Sequence, residues 1–316
     1  MDMEEHRRKK GEFHRMFEKL FHLQANHTSV KTEMMAGVTT FMTMVYILAV
    51  NPSILSASGM DAGAVLTATA IASAIACFCM ALFANKPFAL SAGLGLNAYF
   101  AYTVCGGYGY PWQVALAAVF IEGVLFILLT LTKVRTAIFN AIPAQLKVAV
   151  SVGIGLFILF IGLQNGHVIV DGPTLVTLFS FKQSLAGGTF FTEGITVVLT
   201  LVGVLITTTF LMKGKKGFML WGILVTWILG ILCQLCGLYV PDPAAGFYSL
   251  IPTAFLSAPA SMASTFMKMD FSYIGSHTAD FLVVVFAFCF VDIFDTLGTL
   301  VGVSQKANML DKEGKL

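Results

Sequence analysis

The sequence predicts an all-α polytopic membrane protein, and three observations carry that prediction: repeated long apolar runs, very little charge, and a one-sided placement of the charge that is there. Apolar residues make up 57% of the 316 positions and charged ones only 11%, where a soluble domain carries about 25%. Mean hydropathy is +0.83. Each helical span of a bilayer needs about 20 mostly apolar residues, and eight stretches qualify, roughly 35–56, 64–84, 87–104, 113–132, 146–164, 195–212, 218–239 and 280–302. Outside them lie only a leader of some 33 residues and the loops 165–194 and 240–279, so no soluble domain is expected between spans.

Lys and Arg accumulate on the cytoplasmic side of membrane proteins. The leader holds Arg7, Arg8, Lys9, Lys10, Arg15, Lys19 and Lys31. With eight spans, Lys86, then Lys133, Arg135 and Lys147, then Lys213, Lys215 and Lys216, and finally Lys306, Lys312 and Lys315 fall on that same side, leaving only Lys182 and Lys268 opposite. Both termini are therefore expected in the cytoplasm, in a multi-pass protein of the plasma (inner) membrane. The net charge of +2 reflects topology and predicts no nucleic-acid partner. The leader lacks the short apolar core and small-residue cleavage site of a signal peptide, and a surface helix around Phe13–Leu23 is plausible on its amphipathic pattern. Six cysteines lie in or at the ends of spans; the Cys233-x-x-Cys236 pair has no second pair or histidines beside it, so no metal and no structural disulfide are expected.

Three regions depart from plain apolar helix. In the first span, Thr39, Thr40, Thr43 and Tyr46 supply polar atoms and Asn51-Pro52 interrupts the outer end. Threonines in such a helix either bond back to their own backbone or line a cavity; both readings stand. The third segment, Lys86–Val104, opens on Lys-Pro and continues through Phe88-Ala-Leu-Ser91 into Ala92-Gly93-Leu-Gly-Leu-Asn97. An extended piece leading into a half-helix fits it better than a continuous span, although close packing of a glycine-rich helix is the alternative. Non-helical backbone at membrane depth survives where protein or a water-filled cavity covers it, and transporters use such breaks at their binding sites. The eighth span places Asp292 and Asp295 three residues apart near its middle, with Thr296 and Thr299 on the same face. A carboxylate at the bilayer centre costs about 3 kcal/mol on insertion scales, so two on one face read as a polar path for substrate or protons, and their crowding makes one a candidate proton carrier. Glu122 in the fourth span is either a helix-contact residue or a further relay group. His167 falls in a loop and has no assigned role.

These residues carry a resemblance. The segments GVTTFMTMVYILAVNP, PFALSAGLGLNAYFAYTV and FVDIFDTLGTLVGVSQKANMLD, with Gly314 after them, resemble the nucleobase:cation symporters of the nucleobase–ascorbate transporter class, and most of all the AzgA-like guanine/hypoxanthine permeases. The likeness runs from about residue 13 to the end. It implies a fold of fourteen spans in two inverted repeats of seven, of which this sequence holds the first repeat and the first helix of the second, with a short strand and a half-helix in the broken third segment. The implied organisation is a basic cytoplasmic segment 1–33, core spans at 34–136, gate spans at 137–240, an external loop 241–279, the eighth span at 280–303 as a further core helix, and a tail 304–316. On this sequence ending at Leu316, the expectation is a piece of a longer protein, or one that needs a partner to complete its site.

By the same resemblance, Asp292 accepts N–H groups of the base, Asn97 contributes a polar side chain, and Ser91, Ala92 and Gly93 offer backbone contacts. Asp295, Thr296 and Glu122 belong to transport and proton coupling. Phe88, Phe100 and Phe294, with Thr43 and Tyr46, are candidates for stacking or lining the cavity. The implied activity is proton-coupled uptake of purine bases, guanine or hypoxanthine with adenine as a further candidate, by a protein that is no enzyme, uses no cofactor beyond a coupling ion (H⁺ by preference) and forms a homodimer in full-length form. The alternatives are a uracil/xanthine permease, a same-fold anion transporter, and a membrane fragment without activity of its own. An intramembrane aspartyl protease needs its two acids on different helices, and these share one.

Overall fold

The computed structural model describes residues 18–132, 143–215, 217–252, 254, 257–275, 278–307 and 309. Arg7, Arg8, Lys9, Lys10 and Arg15 of the leader, Lys133, Arg135, Lys216, Lys312, Gly314 and Lys315 lie outside the described residues, as does the first part of the surface helix expected at Phe13–Leu23. The chain divides into two compact units. One takes in 1–49, 68–91 and 180–257, the other 50–67, 92–179 and 258–316.

The helices begin where capping chemistry allows. Helix α1 (Val30–Met44) starts at Ser29, whose hydroxyl accepts from the Thr32 N–H at 3.3 Å. Helix α3 (Ala62–Cys79) follows Asp61, whose carboxylate accepts from the Ala64 N–H at 2.7 Å. Between them α2 (Ile47–Ser56) carries Pro52 inside it. The first span is interrupted not at Asn51-Pro52 but upstream, at the Val45–Tyr46 turn, and the helix then runs through the proline to Ser56. A proline ring presses on the carbonyl four residues back, so the chain yields on that side rather than beyond it.

Helix α3 runs on through a π-helical turn, Met80–Ala84, to Asn85, which is left-handed at φ +48°. Asn tolerates that region better than most side chains. Pro87 then disfavours helical backbone at Lys86. The outcome is a non-helical stretch from Asn85 to Gly93, followed by the half-helix α4 (Leu94–Ala98) and a wider π-helical run, Tyr99–Gly107. The break expected in the third segment is present; its extended part pairs with no strand among the described residues.

Helices α5 (Trp112–Leu131), α6 (Ala144–Asn165), α8 (Ile195–Met212), α9 (Phe218–Leu235) and α10 (Thr278–Lys306) match the remaining expected spans to within a few residues. The loop after α6 is more ordered than its composition suggested. It holds an antiparallel hairpin of β1 (Ile169–Gly172) and β2 (Leu175–Leu178), then the short helix α7 (Phe181–Gly187). Six of the described helical segments are long and apolar enough to cross a membrane, and many of their large apolar side chains point outward, Phe83, Leu205 and Met212 among them. That is the surface a bilayer solvates and water does not.

In the first unit, α8 and α9 meet through a reciprocal glycine–threonine contact. A Cβ on Gly222 would stand 2.9 Å from Thr207 Cβ and 3.2 Å from its Cα; one on Gly203 would stand 2.9 Å from Thr226 Cγ2. Each threonine hydroxyl is satisfied within its own helix, Thr207 by the Gly203 carbonyl and Thr226 by the Gly222 carbonyl, both at 2.8 Å. Small residues let helix backbones approach where no hydrophobic effect drives them together. The loop after α9 laces back onto it: Trp227 Nε1 donates to the Leu250 carbonyl and the Leu250 N–H to Gln234 Oε1. In the second unit, α10 packs on α4, α5 and α6, with Phe281 and Phe288 almost wholly buried.

The Gly222 contact predicts that Gly222→Ala destabilises the protein by about 1–3 kcal/mol through overpacking, read as a lowered melting temperature in detergent. Adding Thr207→Gly should recover most of the loss.

Candidate functional site

Helix α10 brings Asp292 and Asp295 into the second unit, one turn apart and both half-buried. Asp295 lies against the break in the third segment: a Cβ built on Gly93 would fall 2.7 Å from Asp295 Oδ2. Only a residue without a side chain lets that carboxylate reach the backbone at the mouth of α4. Gly93 has the extended conformation (φ −78°, ψ 114°) that precedes a helix start, and its carbonyl accepts from the Asn97 N–H at 3.1 Å. Thr296, a turn beyond Asp292, directs its hydroxyl toward Asp292 Oδ1 at 3.4 Å.

Asn97 stands on α4, and its Nδ2 donates to Oδ1 of Asn51 on α2. Asn51 is only 3% exposed. The third acid, Glu122 on α5, is equally buried, and its Oε1 has no hydrogen-bond partner among the described residues. The negative charges of Asp292 and Asp295, and of Asp292 and Glu122, oppose one another across this site. Among the described residues no three His, Cys, Asp or Glu side chains gather to hold a metal ion.

Aromatic packing holds the half-helix to α10. Tyr99 meets Phe288 edge-on with ring centroids 5.1 Å apart, and Phe100, itself buried, approaches the same ring at 6.4 Å. Phe294 packs on Phe290 of its own helix at 4.6 Å. The second unit thus assembles Gly93, Asn97, Glu122, Asp292, Asp295 and Thr296, with Ala92 next in the chain, Phe100 on the π-helical run and Phe294 on α10.

The other expected residues belong to the first unit. Ser91 pairs with the Ser73 hydroxyl at 2.7 Å. Phe88 and Ser91, with Lys86, Thr40 and Cys77, line a largely apolar cavity of about 490 Å³. Thr39, Thr40 and Thr43 donate to the carbonyls of Met35, Ala36 and Thr40 at 2.8, 3.0 and 2.7 Å, so their hydroxyls serve their own helix. Tyr46 sits at the turn that separates α1 from α2.

Sequence reasoning passed over four residues that hold this region. Asn51 was read as part of a helix break, yet an Asn in an apolar span is itself a sign of a buried polar partner. Cys77 was given no role, yet its Sγ accepts from the Leu90 N–H at 3.1 Å and lies 3.3 Å from the Leu90 carbonyl, serving backbone groups left out of any helix. Ser73 and Phe288 carried no distinguishing signal.

If Phe288 anchors the half-helix, Phe288→Ala should lower stability by about 3–5 kcal/mol, and Phe288→Leu by clearly less. Thermal unfolding in detergent measures both.

The model of the xanthine/uracil permease family, described as "Permease family", matches residues 31–315. A protein of Methanocaldococcus jannaschii described as a permease is 46% identical over 300 residues, covering 95% of this chain and 63% of its own. The guanine/hypoxanthine permease PbuG of Bacillus subtilis is 40% identical over 299 residues (92% of this chain, 62% of its own). The adenine permease AdeP of Escherichia coli is 36% identical over 301 residues (95% and 62%). The chain spans less than two thirds of the length of each of these relatives.

Proposed function

Because the chain belongs to the xanthine/uracil permease family, and is accordingly a multi-pass membrane protein, we propose that it serves proton-coupled uptake of a purine nucleobase across the plasma membrane, with both termini cytoplasmic. The observation that carries this reading is the meeting of Asp295 with the Gly93 backbone, with Asp292 a turn away and Asn97 on the same half-helix. The purine class is supported by the guanine/hypoxanthine and adenine permeases among the relatives.

The chemistry suits such a ligand. A neutral purine presents N–H donors along one edge, and a carboxylate can accept two of them in charge-assisted bonds, which are the strong ones in a water-poor site. In this proposal Asp292 takes that part. Asn97 adds a polar contact, and the backbone of Ala92 and Gly93 remains at hand because no helix consumes it. Asp295 and Glu122 are the proton-coupling groups. Glu122 Oε1 is buried without a partner among the described residues. A change of charge at Asp295 or Glu122 then biases the equilibrium between inward-facing and outward-facing states. The full-length protein is proposed to act as a homodimer.

Uptake of labelled hypoxanthine by cells expressing the protein tests the assignment. Asp292→Ala removes two charge-assisted bonds of about 1.5–3 kcal/mol each, so saturable uptake should fall by roughly a hundredfold or more; uptake of normal affinity would end the assignment. Gly93→Ala should displace the Asp295 carboxylate, the free end of a side chain, and so reduce uptake severely while moving stability by no more than about 1 kcal/mol.

A further inference from the structure

Asn51 and Asn97 are bonded to each other through their amide side chains, and the pairing has a direction. Asn97 Nδ2 is the donor and Asn51 Oδ1 the acceptor. Asn51 is 3% exposed, inside α2 and one residue before Pro52. Asn97 is half-buried on α4, on the element that Gly93 opens toward Asp295. An asparagine amide has a donor end and an acceptor end, and a half-turn about its last bond exchanges them. With its NH₂ end tied to Asn51, Asn97 is held in one of these two states, the state that turns Oδ1 the other way.

We infer that Asn51 is a positioning residue that fixes the polarity of Asn97, so that the site offers an acceptor at that point and selects ligands carrying an N–H there. The inference rests on the nucleobase reading of the site and deepens it. It makes Asn97 match the carboxylates of Asp292 and Asp295, which are acceptors when ionised. A planar base with N–H groups on the facing edge satisfies such a row. A base methylated at the same nitrogen loses the bond and leaves a buried oxygen unpaired, the kind of mismatch by which hydrogen-bonding sites reject analogues most strongly. An Asn97 free to turn over would meet either ligand with the end that suits it, and selectivity would fall even where the site kept its shape. Asn51 would do this from a neighbouring helix without touching the ligand.

The test is binding of labelled hypoxanthine to the purified full-length protein, in competition with its singly N-methylated isomers. Asn51→Leu should weaken hypoxanthine only slightly, because a freed Asn97 can still turn its oxygen to the ligand, and should shrink the ratio between hypoxanthine and the isomer that binds worst. Asn51→Asp can still accept from Asn97 Nδ2 and should keep the wild-type ratio. Asn97→Asp should keep it too, because a carboxylate presents an oxygen to the ligand whichever way it turns; this variant settles the matter should Asn51→Asp fail to fold. Melting temperatures separate these effects from simple destabilisation, which would lower all affinities together and leave the ratio alone. An unchanged ratio in Asn51→Leu, or a ratio in Asn97→Asp as small as in Asn97→Leu, would overturn the inference. Wild-type protein that binds no hypoxanthine, or Asp292→Ala that binds it normally, would remove the nucleobase reading and this inference with it. Hypoxanthine binding that needs Asp292, with a selectivity ratio that ignores Asn51, would remove the inference alone.

Discussion

The break in the third segment answers to one constraint: polar groups at membrane depth find no water and must be satisfied by protein. The stretch from Asn85 to Gly93 is where the constraint presses hardest, because its backbone is outside any helix. The chain meets it with side chains drawn from apolar helices. Cys77 serves the backbone of Leu90, and Ser73 serves the hydroxyl of Ser91. At the end of the stretch Gly93, having no side chain, leaves its backbone open to the carboxylate of Asp295. The break is thus a supported feature, and its supports extend along α3 as well as along α10.

Helix α10 organises the second unit because it carries both the polar groups and the packing that positions them. On one part of its surface Phe281, Phe288, Cys289 and Ile293 are buried, the last two against Phe126 and Leu129 of α5. On the neighbouring part stand Asp292, Asp295 and Thr296. Two carboxylates on a membrane helix are tolerable only where other elements surround them, and the half-helix, α5 and α6 do so here. Stability and chemistry are therefore coupled: the aromatic contact of Phe288 with Tyr99 holds the same half-helix whose first residues approach Asp295.

The spans, their approximate ends and the break in the third segment were legible because they depend on strong local signals: apolar length, a Lys-Pro start, glycines, and charges where none belong. The acids on α10 were legible for the same reason. What stayed hidden depends on partners far apart in sequence. Asn51 looked like half of an Asn-Pro interruption, and only the fold pairs it with Asn97, 46 residues on. Cys77 looked like any small apolar residue until Leu90 was seen beside it. The interruption of the first span was expected at the proline and lies upstream of it, since the proline ring acts on the preceding turn. The hairpin at Ile169–Leu178 was hidden because strands of four residues give little periodicity to read. The threonines of α1 had two readings: Thr39 and Thr43 bond to their own helix, while Thr40 does so and also lines the first unit's cavity.

The central claim is that a purine occupies the ground between the acids of α10 and the half-helix that begins after Gly93. Carbodiimide labelling of membrane-embedded protein, located by peptide mass spectrometry, tests it directly. The account predicts that Asp292 is labelled in the absence of ligand and that hypoxanthine protects it in a saturable manner, while a pyrimidine nucleoside of similar size does not. Labelling of Asp292 that is unchanged by saturating hypoxanthine, guanine and adenine would contradict it.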